Sequence, residues 1–366
     1  MIITRRQSLH TMGLAAVAVA LMRPEAIATP MVAHGGLIRI AFNENPAGPS
    51  PAAREAIREG AGIGNRYVMD ELQQLEHMIA SKEGVSPDQV VLGTGSGEVL
   101  AMAGAVFGLN GGQIVASDNT FDALPRYATA VGARIVSVPL TATFHHDLSA
   151  MASKVTSGTA LVYVCNPNNP TATLLESAAL HGFCSDVSSR APVLVDEAYL
   201  DYEPDLSDSA VDFLRRGKNV IVTRTFSKIH GLAGMRIGYG LAPKPIASRL
   251  KELRMTWMNH LSVRAALASL GDPDFVARSR RRNTEARETF CGALHSAGIQ
   301  FVPSHTNFVY VYAGPKNRDL PRTLLEKNIL IERNGRHLDG DWARISIGTL
   351  SEMQLTATAL RQVYRF

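Results

Sequence analysis

From about residue 60 onward, short apolar runs alternate with stretches whose apolar residues recur at helical spacing. Glu71–Ile79 has that helical spacing, Val90–Leu92 reads as a short buried strand, and Glu98–Phe107 reads as a helix. Further strands are predicted at Gln113–Ala116, Arg134–Val138, Ala160–Val164, Pro192–Val195 and Asn219–Thr223. Strands separated by helix-length segments need crossovers, so the pattern predicts a mainly parallel sheet between helices. Beyond about residue 270 the texture changes. Pro273–Ala297 reads as one long charged helix stopped by Gly298. A strand at Phe308–Val311, a helix at Leu320–Glu326, a strand at Arg344–Ile347 and a closing helix at Ser351–Val363 then form a second, smaller α/β unit.

The polar clusters in the first unit follow its apolar runs. Gly93-Thr94-Gly95-Ser96-Gly97 follows the first strand, Asn166-Pro167-Asn168-Asn169-Pro170 a later one, Asp196 ends another, and Ser227-Lys228 lies just past the last. In open α/β sheets this carboxyl edge is where ligands bind.

Composition narrows the field. The chain has 366 residues, 46% hydrophobic and 19% charged. That excludes disorder and fibrous repeats, and a chain of this length buries a core without staples. Three cysteines, Cys165, Cys184 and Cys291, are too few and too scattered for a disulfide framework. The net charge is +4, and half of it comes from Arg5, Arg6, Arg23 and Glu25 in the first 28 residues. The basic run Arg278, Arg280, Arg281 and Arg282 reads as a solvated helix face, so no nucleic-acid surface is expected. The eleven histidines show no metal-ligand spacing, and His145-His146 is expected in a polar surface loop. Gly93–Gly97 lacks the endings of a nucleotide-binding loop.

The first residues look like an address. Arg5 and Arg6 precede an uncharged apolar run from Met12 to Met22, and Ala26-Ile27-Ala28 offers a small-x-small cleavage site. The run is too short for stable membrane insertion. The paired arginines resemble a twin-arginine leader, with Ser8 where that pattern has Phe. A signal peptide over 1–28, a mature start near Thr29 and a periplasmic or extracellular location are expected. Without the leader, the first residues read as an N-terminal helix and the location as cytoplasmic.

Taken alone, Lys228 reads as an ordinary surface residue rather than a reactive one. Its company is Asp196, Tyr199, Asn169 and the Gly95–Gly97 loop: an acid, a phenol, an amide and an anion-cradling turn. Each has a task if the ligand is pyridoxal phosphate. An amine forms an imine with the cofactor's aldehyde. A carboxylate keeps the pyridine nitrogen protonated. A phenol and an amide hold the ring oxygen. Glycines at a helix start, hydroxyls and an arginine take the phosphate.

The order Asn-Asn-Pro-Thr, Asp-Glu-Ala-Tyr, Ser-Lys and Gly-Leu-Ala-Gly-x-Arg resembles the fold-type I pyridoxal-phosphate aminotransferases. It is most similar to the histidinol-phosphate aminotransferase family, from Asn43-Glu44-Asn45-Pro46 to Arg344-Ile345-Ser346-Ile347-Gly348-Thr349. The resemblance implies an aspartate aminotransferase-like α/β fold. An N-terminal arm over 29–60 would contribute to the small domain and the substrate site. A large cofactor-binding domain would span 61–270 and a small C-terminal domain 271–366. It implies pyridoxal 5′-phosphate as cofactor, with Lys228, Asp196 and Tyr199 catalytic. Cofactor contacts would come from Ser96, Gly97, Phe121, Asn169, Asp196, Tyr199, Thr225, Ser227, Lys228 and Arg236. Tyr67 would reach the neighbouring subunit's phosphate, which implies a homodimer with shared active sites. Arg344, Asn45 and Arg333 would lie on the substrate side. Taken alone, Phe121 reads as core and Arg344 as a surface charge. His230 could line the pocket or merely pack.

An amino donor and a 2-oxo acid acceptor would then react in a ping-pong pair of half-reactions. Of two departures, the first bears on the substrate and the second on the backbone alone. Ala47 stands where the family commonly has a tyrosine that helps hold the phosphate of histidinol phosphate, and Ala172 follows Thr171 where it usually has glycine. A different amine as donor is therefore expected. Two alternatives stay open: a decarboxylase of the same fold, and an exported non-catalytic binding protein.

Overall fold

The apolar runs become strands because β-branched residues fill them and both faces of the sheet are covered. A two-residue strand β1 (Ile38–Arg39) comes first in the computed structural model, followed by β2 (Val90–Gly93), β3 (Gln113–Ser117), β4 (Arg134–Val138), β5 (Thr159–Cys165), β6 (Val193–Asp196), β7 (Val220–Thr225) and β8 (Gly238–Leu241). The structure describes residues 36–206, 208–314, 319–332 and 341–364. The expected leader, its cleavage site and Arg333 lie outside the described residues. Leu37–Phe366 forms one compact unit.

Strands β2 to β8 form a seven-stranded sheet in the order β2-β8-β7-β6-β5-β3-β4. Neighbours from β7 to β4 are parallel. Only β8 runs against its neighbours β2 and β7. Side chains alternate strictly between two buried layers: Val115, Val162, Val193 and Val222 on one side, Ile114, Leu161, Leu194 and Ile221 on the other. The same alternation separates Asp196 from Glu197, which is buried and pairs with Arg224 at 2.9 Å.

Strand β8 has no signal in the apolar pattern, because Gly238-Tyr239-Gly240-Leu241 is short and glycine-rich. The helix Ser96–Gly108 lies against it, and a Cβ at Gly238 would stand 2.3 Å from the Ser96 nitrogen. The glycine thus seats the start of that helix at the sheet's carboxyl edge.

After the helix Pro273–Ser296 come β9 (Phe301–Val302), β10 (Phe308–Tyr312), β11 (Ile329–Leu330) and β12 (Trp342–Ser346). The long helix starts where Asp272 accepts from the Phe275 N–H at 3.0 Å, with Pro273 in the first turn. Arg278, Arg281 and Arg282 are exposed on it as expected, whereas Arg280 is half-buried and donates to the Asp201 carbonyl at 2.9 Å. Strands β12, β10 and β9 make an antiparallel sheet. Its core joins Phe290 and Leu294 of the long helix to Met353 and Leu360 of the helix Leu350–Val363. Ile40, just after β1, belongs to the same core, and β1 pairs in parallel with β11.

His146 departs from expectation. It is buried, with one ring nitrogen 2.6 Å from the Ser117 hydroxyl and the other 2.8 Å from the Cys165 carbonyl. It bridges the ends of β3 and β5, and burial pushes its pKa down to about 4. Both of its hydrogen bonds lie far away in sequence, so local polarity gave no hint of them.

Candidate active site

A cavity of about 340 Å³ opens at the carboxyl edge of the large sheet, where strands β2, β5, β6 and β7 end. Asp196, the last residue of β6, is buried at its floor. The Thr223 hydroxyl donates to its Oδ1 at 2.8 Å and the Tyr163 hydroxyl to its Oδ2 at 3.5 Å. Burial pushes the Asp196 carboxyl up to about 6, against the opposing pull of these hydroxyls and of Lys228. It is an oriented acid suited to a cationic partner.

Lys228 lies three residues past the end of β7 and is half-buried. Its Nζ donates to the Phe42 carbonyl at 3.2 Å and lies 5.5 Å from the centre of the Tyr199 ring. Burial, reinforced by Arg344 and Arg236, pushes its amine down to about 7, while Glu44 and Asp196 act the other way. Near neutral pH a substantial share of this amine is uncharged and nucleophilic.

An anion cradle lies at one end. The helix Ser96–Gly108 begins without a side-chain cap, after Gly95 at φ +81°. Its first-turn N–H groups and its dipole favour an anion. Arg236 reaches this turn, donating to the Ser227 hydroxyl at 3.2 Å and to the Ala233 carbonyl at 2.8 Å. A Cβ at Gly95 would come within 2.3 Å of the Arg236 Nη2, so the close approach requires glycine. Thr225 accepts from the Ser227 N–H at 3.1 Å and also lines the cavity. Phe121, half-buried, lines the cavity and packs on the Ile114 layer. Hydroxyls, an arginine and bare N–H groups at one end, with an amine and a buried acid beyond, fit a phosphorylated aromatic aldehyde.

The opposite end is assembled from distant pieces. Arg344 of β12 donates to the Asn169 Oδ1 at 2.5 Å and pairs with Glu332 at 2.5 Å. Its Nε is buried without a hydrogen-bond partner. Tyr199 is buried, and its hydroxyl accepts from the Asn43 Nδ2 at 2.9 Å.

Asn45 is placed differently from expectation. Its amide donates to the Ile229 carbonyl at 2.7 Å and to the Ser279 hydroxyl at 3.1 Å, and its Oδ1 accepts from the Ala47 N–H at 3.0 Å. It ties the N-terminal arm beside Lys228, and Phe42, Asn43 and Glu44 line the cavity instead. Asn43, at φ +54°, exchanges hydrogen bonds of 2.8 Å with the Ser346 hydroxyl. The signal for it lay in the same Asn43-Glu44-Asn45 motif, where an asparagine tolerates the left-handed conformation best.

Tyr67 is 83% exposed, is not among the residues lining this cavity, and packs beside Trp257. His230 packs: it bonds the Ser269 hydroxyl at 2.7 Å and meets the Phe226 ring. Cys165 lines the cavity floor, and Cys165, Cys184 and Cys291 are all free thiols. Among the described residues no group of histidine, cysteine and acidic side chains is placed to hold a metal, and no helix is long and apolar enough to cross a membrane.

Comparison with known proteins agrees with this geometry. The family model for aminotransferase class I and II matches residues 36–360. A histidinol-phosphate aminotransferase of Moorella thermoacetica is 37% identical over 330 residues, covering 89% of this chain and 85% of that protein. Histidinol-phosphate aminotransferase 2 of Pseudomonas fluorescens is 35% identical, covering 89% of each. Among solved structures, the histidinol-phosphate aminotransferase of Sinorhizobium meliloti in complex with pyridoxal-5′-phosphate aligns with a TM-score of 0.82 at 29% identity, over 89% of this chain and 90% of that one. An aspartate aminotransferase variant of Thermus thermophilus shares the fold, with a TM-score of 0.80 at 17% identity, over 94% of this chain and 99% of that one.

Proposed function

The chain belongs to the class I and II aminotransferase family and, within it, to the histidinol-phosphate aminotransferases, and on that premise we propose that it moves an amino group from an amino acid or amino alcohol phosphate to a 2-oxo acid with Lys228 as the reactive amine. The observation that carries this reading is the cavity itself, in which Lys228 lies with a buried acid, an anion cradle and a second arginine, Arg344, around it.

When bound, pyridoxal 5′-phosphate supplies an aldehyde that exchanges amines and a protonated ring that accepts an electron pair from the donor's α-carbon. The first turn at Ser96 and Gly97, with Thr225, Ser227 and Arg236, would hold its phosphate. Asp196 would hold the ring nitrogen protonated; that cation would reverse the effect of burial and keep the carboxyl ionised. Asn169 and Tyr199 would take the ring oxygen, and Phe121 would cover one face of the ring. Lys228 would hold the cofactor covalently until a donor amine takes its place. Its freed amine, already shifted toward neutrality by burial, would be the base that takes up and gives back the donor's α-proton. Arg344, whose Nε has no partner, would orient the donor through its carboxylate.

Ala47 supports a donor other than histidinol phosphate, because it offers neither a hydroxyl nor bulk where the family has a tyrosine. Turnover across a panel of amino donors, with keto acid and carbon dioxide both quantified, tests the reading. Keto acid without carbon dioxide is expected. Carbon dioxide in place of keto acid would favour the decarboxylase, and no turnover would contradict both.

Homodimers are typical of the family. A dimer here is supported by the exposed apolar side chains Ile63, Tyr67, Met69, Met255 and Trp257. Tyr67 would then reach the phosphate in the neighbouring subunit. The leader-like residues 1–28 support export, which fractionation of a tagged full-length chain tests.

A further inference from the structure

Arg344 lines the donor end and Arg39 lies behind its lining residue Glu44, and each arginine already carries a carboxylate. Arg39 pairs with Glu44 at 2.9 Å, and Arg344 pairs with Glu332 at 2.5 Å. Glu44 and Arg344 both line the cavity. Arg344 is only 9% exposed, and Glu332, with 22% of its side chain exposed, is held against it from the edge beyond β11. These two pairs therefore balance their charge before any donor arrives. An amino acid with an uncharged side chain brings one ammonium and one carboxylate and leaves that balance intact. A donor with a phosphate or a second carboxylate brings a further anion beside Glu332 and Glu44. Like charges at such separations in a partly dry site repel strongly. Apolar surface is available instead. Phe42, 53% exposed, lines the mouth of the cavity, with the Arg39 guanidinium 5.1 Å from its ring centre.

We infer that Glu332 is a specificity-determining residue: its carboxylate, held on Arg344, stands where a second substrate anion would bind, so the site takes donors with one acidic group and an uncharged, preferentially apolar or aromatic side chain. The inference builds on the aminotransferase reading of the preceding subsection. In it Glu332 touches neither cofactor nor reacting atoms and acts through Arg344.

The test uses cofactor-loaded wild-type protein with the variants Glu332→Gln and Glu332→Asp. Two matched pairs of donors are compared by kcat/KM: glutamate against glutamine, and aspartate against asparagine. Two non-reacting acids, fumarate and crotonate, are compared by calorimetric Kd. In wild-type protein the uncharged member of each donor pair is expected to win by about tenfold or more. Glu332→Gln should move both ratios toward the anionic member by at least about tenfold, mainly through KM, and should tighten fumarate by a similar factor while crotonate stays within about threefold. Glu332→Asp, which keeps the charge, should keep the wild-type ratios. A glutamate-to-glutamine ratio and a fumarate-to-crotonate ratio unchanged by Glu332→Gln, in protein that still turns over, overturn the role of Glu332 and leave the aminotransferase reading standing. Wild-type protein that turns over none of the donors overturns both.

Discussion

At the phosphate end of the cavity, Ser96, Gly97, Thr225, Ser227 and Arg236 all lie within a few residues of the ends of β2, β7 and β8, three adjacent strands of one sheet. At the donor end, Arg344 meets Asn169 across 175 positions of sequence, and Asn43 meets Ser346 across 303. The first end is fixed by adjacent strands of a single mixed sheet, whose backbone leaves its ligand groups little choice of position. The second depends on the N-terminal arm, on β12 and on Glu332, pieces that come together only when the smaller sheet is in place. The difference predicts a division of labour. Changes at the sheet's edge should lower turnover with every donor alike, and changes at the assembled end should alter which donor is used.

Replacing Lys228 is the hardest test of that division. Lys228→Gln removes both the covalent anchor and the base. Turnover should fall by more than about 10⁴-fold with all donors and leave their ranking intact. Asp196→Asn should lower kcat by about 10³-fold, again for all donors, because the amide no longer favours a protonated ring nitrogen. Arg344→Gln should instead raise the donor KM by about 50-fold or more, the worth of a charge-assisted pair of about 2–3 kcal/mol, with cofactor loading unchanged. Steady-state kinetics separate the three, and a uniform kcat loss from Arg344→Gln would erase the contrast between the two ends.

The pH dependence of loading sharpens the picture at the sheet's edge. Without cofactor, the Asp196 carboxyl is raised to about 6. Its contribution to stability is therefore full below the ordinary carboxylate range near 4 and is lost as pH rises through about 6. A ring nitrogen that keeps its proton removes this loss. The gain in Tm on loading with pyridoxal phosphate should therefore grow between pH 5 and 7, and Asp196→Asn should flatten that growth. Thermal melts of both forms across this range measure it.

The smallest effect is expected at Ala172, buried at φ +64° in the loop after β5. A left-handed alanine costs about 1–2 kcal/mol, and glycine relieves it. Greater freedom of the unfolded chain, at about 0.4–1 kcal/mol, and the loss of a buried methyl offset that relief. Ala172→Gly should thus shift stability by no more than about 1 kcal/mol and leave kcat/KM within about twofold, since Ala172 meets Asn168 and His305 through backbone alone.

Why one end was legible and the other was not follows from the same contrast. The strands of the large sheet are continuous apolar runs because helices cover both faces, so Val90–Leu92 and Ala160–Val164 stand out. The glycines, Asp196 and Lys228 follow such runs directly, and a motif of a few adjacent residues suffices to find them. Strand β8 escaped notice because its glycines answer to the helix packed on it rather than to strand propensity. Asn43 and Asn45, two positions apart, are alike in sequence and differ only in what they meet: Tyr199 and Ser346 for one, Ile229 and Ser279 for the other. His146 likewise differs from its neighbour His145 in partners distant along the chain, Ser117 and Cys165. Glu332 gave no signal, since its partner Arg344 comes from a different strand.

Mass spectrometry of peptides after reconstitution with pyridoxal phosphate and reduction with borohydride is the most direct check on Lys228. A single added pyridoxyl phosphate on the peptide carrying Lys228, absent from Lys228→Gln, is expected. Unlabelled protein, or a label on another lysine, would contradict the role given to this residue.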